Sequence, residues 1–587
     1  MLEFITRLKE RYQSVARAQQ HGEGHPPFDD TLASLTLAEA ALHMLEIGRD
    51  WPDRKPQIVV IGPTQAGKST VVNLLLGRPL AGVSALAGFT VHPQGFDTGG
   101  GDGENDWLPR FFAGYQQRSI DDLAGAPYRA YALARAGDGP LSPAVIWDTP
   151  DFDSVDAGGY RDAVLRTIAL ADLLLLVVSK DKYADQRVWQ TLELLLPLRI
   201  PLVICINKLD MESRKVVVES LRGQLRAAGM AEERVPVCTL PYRKDLDRSG
   251  RGLDPAQVDL LRQTLRRELS AIDRDSRRRH LHHFIRQHWP EWIAPVQAEQ
   301  AADAAWDEMV EQAMKNALAD YRRDYLDHPQ NYETFQQAIA ELLTLLEIPI
   351  LADSLGRARQ LITWPLRQLI GAGRSLFGKR SENGPPDSNQ EQRLLNQICH
   401  HTLIHLAEEA LHNSETDPGQ ESWWRGIATL LRERRPELEQ QFARSVDNYQ
   451  ERFRPEIERS ARSLYEQLQQ QPATLNSLRA ARVTADAAAV VVAVKSGGLN
   501  MHDLIVAPAM LSLTSMLTES TLGHYMDRVA AELKQRQLEA VREELLAPLR
   551  GRIRQLREQL DPARRFGIGA EELSAAEQEL QEFGDGR

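Results

Sequence analysis

The chain has 587 residues, 42% of them hydrophobic, which is enough apolar material for more than one substantial core. Lys plus Arg numbers 70 and Asp plus Glu 82, and the net charge of −12 argues against general wrapping of nucleic acid. Three cysteines exclude a disulfide framework, the N-terminus lacks the apolar core of a signal peptide, and no run of about 18 apolar residues encodes an ordinary membrane span. These features predict a cytoplasmic chain.

Residues 1–52 carry two helical patterns, with Asp29 and Asp30 expected to cap the second. From Pro56 the texture changes. QIVVIG, PAVIWD, LLLLVVS and PLVICIN are short runs rich in Val, Ile and Leu, separated by segments of helix length. This alternation predicts an α/β domain over 53–272, with a mainly parallel sheet covered by helices on both faces. PYRAYALA is expected to add an antiparallel edge strand, and VPVCTL at 235–240 is the last strand candidate. The glycine-rich stretch 95–103 reads as a mobile insertion. Residues 273–587 predict a long all-α region. In 438–468, Leu438, Phe442, Val446, Tyr449, Phe453, Ile457, Ala461, Leu464 and Leu468 recur every three or four positions, a helix-packing stripe with Pro455 expected to kink it.

The sharpest signal is Gly62-Pro63-Thr64-Gln65-Ala66-Gly67-Lys68-Ser69, placed between the strand QIVVI and the helical TVVNLLLG that opens at Thr70. It satisfies the phosphate-loop pattern in its strand–loop–helix setting. Glycines let the backbone curl so that its N–H groups face phosphate. Lys68 neutralises the β/γ oxygens, Ser69 ligates magnesium, and the helix dipole adds positive potential. Asn207-Lys208-Leu209-Asp210 closes another strand, where the Asp210 carboxylate can accept from both N1–H and the 2-amino group of guanine; adenine lacks both donors. Asp148, at the end of PAVIW, is placed to hold magnesium through water.

Together these residues resemble the TRAFAC class of P-loop GTPases, over about residues 56–245. The resemblance implies GTP or GDP with Mg²⁺ as ligands. It implies that Thr90 is the switch threonine closing on magnesium and γ-phosphate, with Ser84 and Thr98 as competitors. It places Thr239 and Leu240 in the loop after the last strand that touches guanine. Asp151 stands where the family carries a glycine whose N–H meets the γ-phosphate, and Phe152 where Ras-like enzymes carry a water-orienting glutamine. Hydrolysis is therefore expected to be slow without a partner, self-assembly or an ion. Gln65 matches the polar position that, in potassium-dependent relatives, helps hold K⁺.

The loop wording and the layout, with helices before the domain and more than 300 helical residues after it, resemble bacterial dynamin-like and Era-like proteins. The dynamin-like resemblance implies a mechanoenzyme or switch that self-associates or meets a partner protein, peripheral at the inner face of the cell membrane. Residues 351–380 carry six Arg/Lys and only Asp353 as an acid, interleaved with Trp364 and Phe377, as an anionic membrane surface would select. A bundle helix with a solvated basic face reads the same way. Residues 485–526 read as a helical hairpin, either a membrane-inserting paddle or part of the core. The alternatives are an Era-like ribosome or RNA assembly factor, for which no basic KH-type unit is evident, and a GTP-gated interaction protein with little hydrolysis. His401 and His405 share a helix face without zinc-type partners, so no metal site is expected there.

Overall fold

A computed structural model of the chain describes residues 1–19, 28–82, 90–99, 105–123, 125–151, 157–210, 212–230, 234–242, 255–274, 276–328, 332–346, 390–417, 419–472, 475 and 523–585. Ser84, Phe152, residues 351–380 and 485–522 lie outside this set. Two compact units emerge, Met1–Ala298 with Pro562–Arg587, and Glu299–Asp561.

The first unit opens with α1 (Leu2–Gln19) and α2 (Asp29–Asp50), and its strands are β1 (Gln57–Ile61), β2 (Gln94–Thr98), β3 (Gln116–Arg118), β4 (Ala130–Arg135), β5 (Ala144–Asp148), β6 (Leu173–Ser179), β7 (Leu202–Leu209) and β8 (Val237–Pro241). Among the described residues they form one sheet in the order β3-β4-β2-β5-β1-β6-β7-β8. The run β5-β1-β6-β7-β8 is parallel throughout. Its strands are apolar on both sides because helices cover both faces. Ile58 and Val60 enter the core with Val71, Val72 and Leu75 of α3 (Lys68–Leu76), while Val59 and Ile61 enter the opposite core with α1 and α2 residues such as Leu8 and Leu37. Strand alternation thus assigns each helix layer its side.

Three expectations change. PYRAYALA supplies β4, but β4 is not the edge: it lies between β3 and β2, parallel to both, and the antiparallel pairing is β2 with β5. The start of the glycine-rich stretch is not an insertion, since Gln94–Thr98 is β2, with Phe96 fully buried. Asp29 and Asp30 do not cap α2. Phe28 is the left-handed N-cap residue, and Asp29 within the first turn is drawn to the Arg161 guanidinium instead.

At the foot of the sheet Asp172, just before β6, is buried among three guanidinium groups. Arg54 meets it at 3.0 Å, Arg277 at 3.3 Å and Arg274 at 3.5 Å, and the Gln57 N–H donates to it at 3.0 Å. Arg274 and Arg277 flank the start of α4 (Ser276–Tyr321), so this carboxylate ties that helix to β1 and β6. The chain returns at 562–585, where Arg11 of α1 donates to the Phe566 carbonyl at 2.7 Å and Tyr12 meets the Phe566 ring edge-on at 4.9 Å.

In the second unit the expected stripe is the buried face of Glu421–Gln469, and the helix runs on through Pro436 and Pro455. A polar node sits among these helices. Buried Glu391 accepts from Tyr321 at 2.6 Å, Gln537 at 2.7 Å and Tyr449 at 3.2 Å, and burial raises its carboxyl above the usual range. Among the described residues no helix is long and apolar enough to cross a membrane.

Candidate nucleotide site

β1 delivers the chain to Gly62 at the carboxyl edge of the sheet, and α3 leaves that edge from Lys68. Glycine is required twice between them. A Cβ at Gly62 would run into the Val177 carbonyl of β6, and one at Gly67, whose φ is +90°, into the Asn207 amide. Gln65 also adopts a left-handed backbone, with φ of +61°, and Ala66 closes the turn on the Pro63 carbonyl at 3.2 Å. The loop is curled by its own backbone, as phosphate cradling demands.

Lys68 is buried, and its ammonium touches the Gly62 carbonyl at 3.1 Å and the Pro63 carbonyl at 3.4 Å. It also forms an ion pair with the Asp151 carboxylate. The Ser69 hydroxyl donates to Asp148 Oδ2 at 2.6 Å. Asp148 is fully buried, and desolvation pushes its carboxyl up to about 6, moderated by Ser69 and Lys68 and reinforced by Asp151. Its other oxygen, Oδ1, is buried and without a hydrogen-bond partner among the described residues. A magnesium ion fits this donor set, an unpaired carboxylate oxygen beside a serine hydroxyl, and Ser69 and Asp148 would hold it.

The Asn207–Asp210 segment is tied to the same loop. Asn207 donates to the Ala66 carbonyl at 2.9 Å, and Lys208 reaches over to the Gln65 carbonyl at 2.7 Å. Asp210 accepts from the Ser213 N–H at 2.8 Å, from the Ser213 hydroxyl, and from Lys180 at 3.0 Å, and these bonds hold its carboxyl well below the usual range. Arg214, Thr239, Leu240 and Gln257 line a small pocket with Asp210.

Thr239 and Leu240 do not follow the last strand. β8 runs on to Pro241 because Thr239 still pairs with Ile206, and Leu240 is fully buried in the core. Tyr242, which donates its N–H to the Leu209 carbonyl at 3.1 Å, is the first residue past the strand. Thr98 cannot serve as a switch threonine: its hydroxyl exchanges bonds with Ala144 across β2 and β5 at 2.8 and 3.2 Å. Thr90 is buried four residues before β2, and among the described residues no bond ties it to Ser69 or Asp148.

Two residues beside the site escaped sequence reasoning. Gln94 is the ladder partner of Asp148, and among the described residues its Oε1 is buried without a partner, as are both ring nitrogens of His92 two residues earlier. A buried polar group left unpaired is costly, and the β2–β5 register sets Gln94 opposite Asp148. Nothing in the local sequence marks them, because the β2–β5 register that brings Gln94 to Asp148 is a long-range fact. Among the described residues no group of three or more His, Cys, Asp or Glu could hold another metal ion.

Residues 57–208 match the family described as 50S ribosome-binding GTPase. No curated protein matches the chain. Solved structures with likeness to it include a bacterial dynamin pair, described as oligomerised and as providing a mechanism for long-range sensing and tethering of membranes. That likeness has 13% identity and a TM-score of 0.28 over 99% of this chain and 86% of that one. Another is the LeoA bacterial dynamin GTPase from ETEC, with 12% identity and a TM-score of 0.24 over 99% of this chain and 97% of that one. Identities and scores this low carry no weight for function. The family match, the curled loop between β1 and α3, and the Asn207–Asp210 segment braced against it make residues 57–208 a P-loop GTPase domain.

Proposed function

We propose that the chain binds GTP with magnesium and hydrolyses it slowly. We propose further that its helical region turns nucleotide state into self-association or partner binding at an anionic membrane surface, in the dynamin-like manner. The observation that carries the nucleotide reading is the meeting of Lys68, Ser69 and Asp148 at the mouth of the curled loop. The backbone N–H groups of Thr64 to Thr70 cradle the phosphates, and Lys68 neutralises their oxygens. Asn207, Lys208 and Asp210 take the base, with Thr239 beside them. Thr90 closes on the metal side. Magnesium, when bound, supplies charge that draws the phosphate oxygens and offsets negative charge developing in the transition state.

Gln65 offers a carbonyl oxygen for K⁺, the substitute for a water-orienting glutamine that Phe152 cannot be. Hydrolysis is then faster in potassium than in sodium at equal ionic strength, and the difference disappears in Gln65→Ala. Equal rates in both salts remove that role.

The membrane part rests on the basic, aromatic-interleaved sequence 351–380 and on the layout of the chain. GTP turnover by the full chain, lost in Lys68→Ala, tests the enzyme. Co-sedimentation with anionic vesicles, with and without a GTP analogue, tests the surface. The matching family's description favours a second reading, ribosome binding, against which the net charge of −12 stands. Copurification of ribosomal RNA, with no vesicle binding, would decide for it.

A further inference from the structure

The ion pair between Lys68 and Asp151 is the least expected contact in the site. A phosphate-loop lysine is there to meet β- and γ-phosphate oxygens. Here its ammonium is already engaged by two loop carbonyls and a carboxylate, and both side chains are largely shielded from water, at 5% and 11% exposure. An ammonium has three protons, and these three acceptors use them all. A β-phosphoryl oxygen, common to GDP and GTP, can take over the proton of the long 3.4 Å contact to Pro63, but a γ-phosphoryl oxygen reaches Lys68 only by displacing a further acceptor. The Gly62 carbonyl belongs to the loop itself and cannot leave without uncurling it. Asp151 is on a side chain and can turn away.

We infer that Asp151 is a built-in surrogate for the terminal phosphoryl group, holding Lys68 until a triphosphate displaces it and thereby setting the preference of the site between GTP and GDP. The inference rests on the nucleotide reading above. Its logic is electrostatic competition. A diphosphate leaves the outermost acceptor position at Lys68 to the carboxylate, so the pair persists. A triphosphate brings its own anionic oxygens to that position and must expel a like charge from it. Asp151 therefore weakens GTP binding more than GDP binding. The cost is specific to one ligand, as a discriminating element requires. The placement also converts the presence of the terminal phosphoryl group into a movement of residue 151, three positions from the metal-facing Asp148.

The test is equilibrium titration of the full chain with a fluorescent GDP and a fluorescent non-hydrolysable GTP analogue, both with magnesium. Asp151→Asn keeps the shape and removes the charge, and Asp151→Ala removes both. In each variant the affinity for the GTP analogue should rise about tenfold, within the usual range of coupling between sites, while that for GDP changes less than about threefold. Circular dichroism confirms that both variants are folded, and if Asp151→Ala is not, Asp151→Asn decides alone. An unchanged or weakened affinity for the analogue overturns the inference, as does an equal gain for both nucleotides. Lys68→Ala separates the two levels of failure. If wild type binds both nucleotides and Lys68→Ala neither, the nucleotide reading stands whatever Asp151 does. If wild type binds neither, both readings fall.

Discussion

Asn207 and Ala66 are 141 positions apart in sequence, yet the Asn207 amide donates to the Ala66 carbonyl at 2.9 Å and so pins the phosphate loop to the end of β7. The bond is buried, and Asn207 also turns its own oxygen to the Lys208 N–H at 2.9 Å. The curl of the loop is therefore shared property. Asn207→Ala should lower nucleotide affinity by about tenfold, corresponding to the ~1.4 kcal/mol expected for one buried hydrogen bond. Isothermal titration of the variant measures it, and an unchanged affinity would show that the loop holds its shape alone.

Asp210 should confer guanine preference by the same kind of accounting. Its carboxylate is kept ionised by Ser213 and Lys180, so the preference for GTP over ATP should not vary between pH 5 and 8. Asp210→Asn replaces one acceptor with a donor, and the ratio of GTP to ATP affinity should fall by about a hundredfold or more. Competition binding across that pH range tests both statements.

Asp172 should be the costliest single side chain to lose at the foot of the sheet. Asp172→Ala strands Arg54 and Arg277 in a buried setting and loosens Arg274, while removing the acceptor for the Gln57 N–H. Breaking a buried pair from one side costs about 3–5 kcal/mol. Urea denaturation followed by tryptophan fluorescence should show a loss of that order, and a loss under about 1 kcal/mol would mean that the arginines find other partners.

The parts of this architecture that chemistry dictates locally were legible in the chain. Gly62, Gly67, Lys68 and Ser69 must recur at fixed spacing because a phosphate chain has fixed dimensions, and the apolar runs of β1, β5, β6 and β7 are apolar because both faces are covered. What was not legible depends on long-range register. PYRAYALA reads as a strand, but only its pairing with Gln94–Thr98 makes it an inner strand rather than an edge. Thr239 lies inside β8 because Ile206 pairs with it. Asp29 carries the composition of a cap, yet Arg161, distant in sequence, claims its carboxylate. The ion pair of Asp151 with Lys68 belongs to the same class, since a departure from a motif shows in sequence and its partner does not.

Glu391 gives the helical unit a dependence on pH. Burial raises its carboxyl in the folded chain, so between its ordinary pKa and the raised folded value the unfolded chain has lost the proton while the folded chain retains it. Stability contributed at this site is thus greatest in acid, falls as pH rises through that window, and is level above it. Glu391→Gln keeps an acceptor for Tyr321 and Gln537 but cannot ionise. The variant should gain on wild type as pH rises through that window, by about 1.4 kcal/mol for each pH unit it spans. Urea midpoints at several pH values test this, and parallel curves for the two proteins would rule it out.

The return of residues 562–585 to the first unit has a consequence for how the molecule is made. A ribosome delivers 1–298 first, then the whole of 299–561, and only then the segment in which Phe566 meets Arg11 and Tyr12. The helical unit is in effect an insertion within the nucleotide-binding one, so the earliest helices wait for nearly the last residues of this sequence before their packing is complete. Until then the apolar face of α1 around Tyr12 is left partly uncovered, which makes the nascent protein, more than the finished one, the form that needs protection from aggregation.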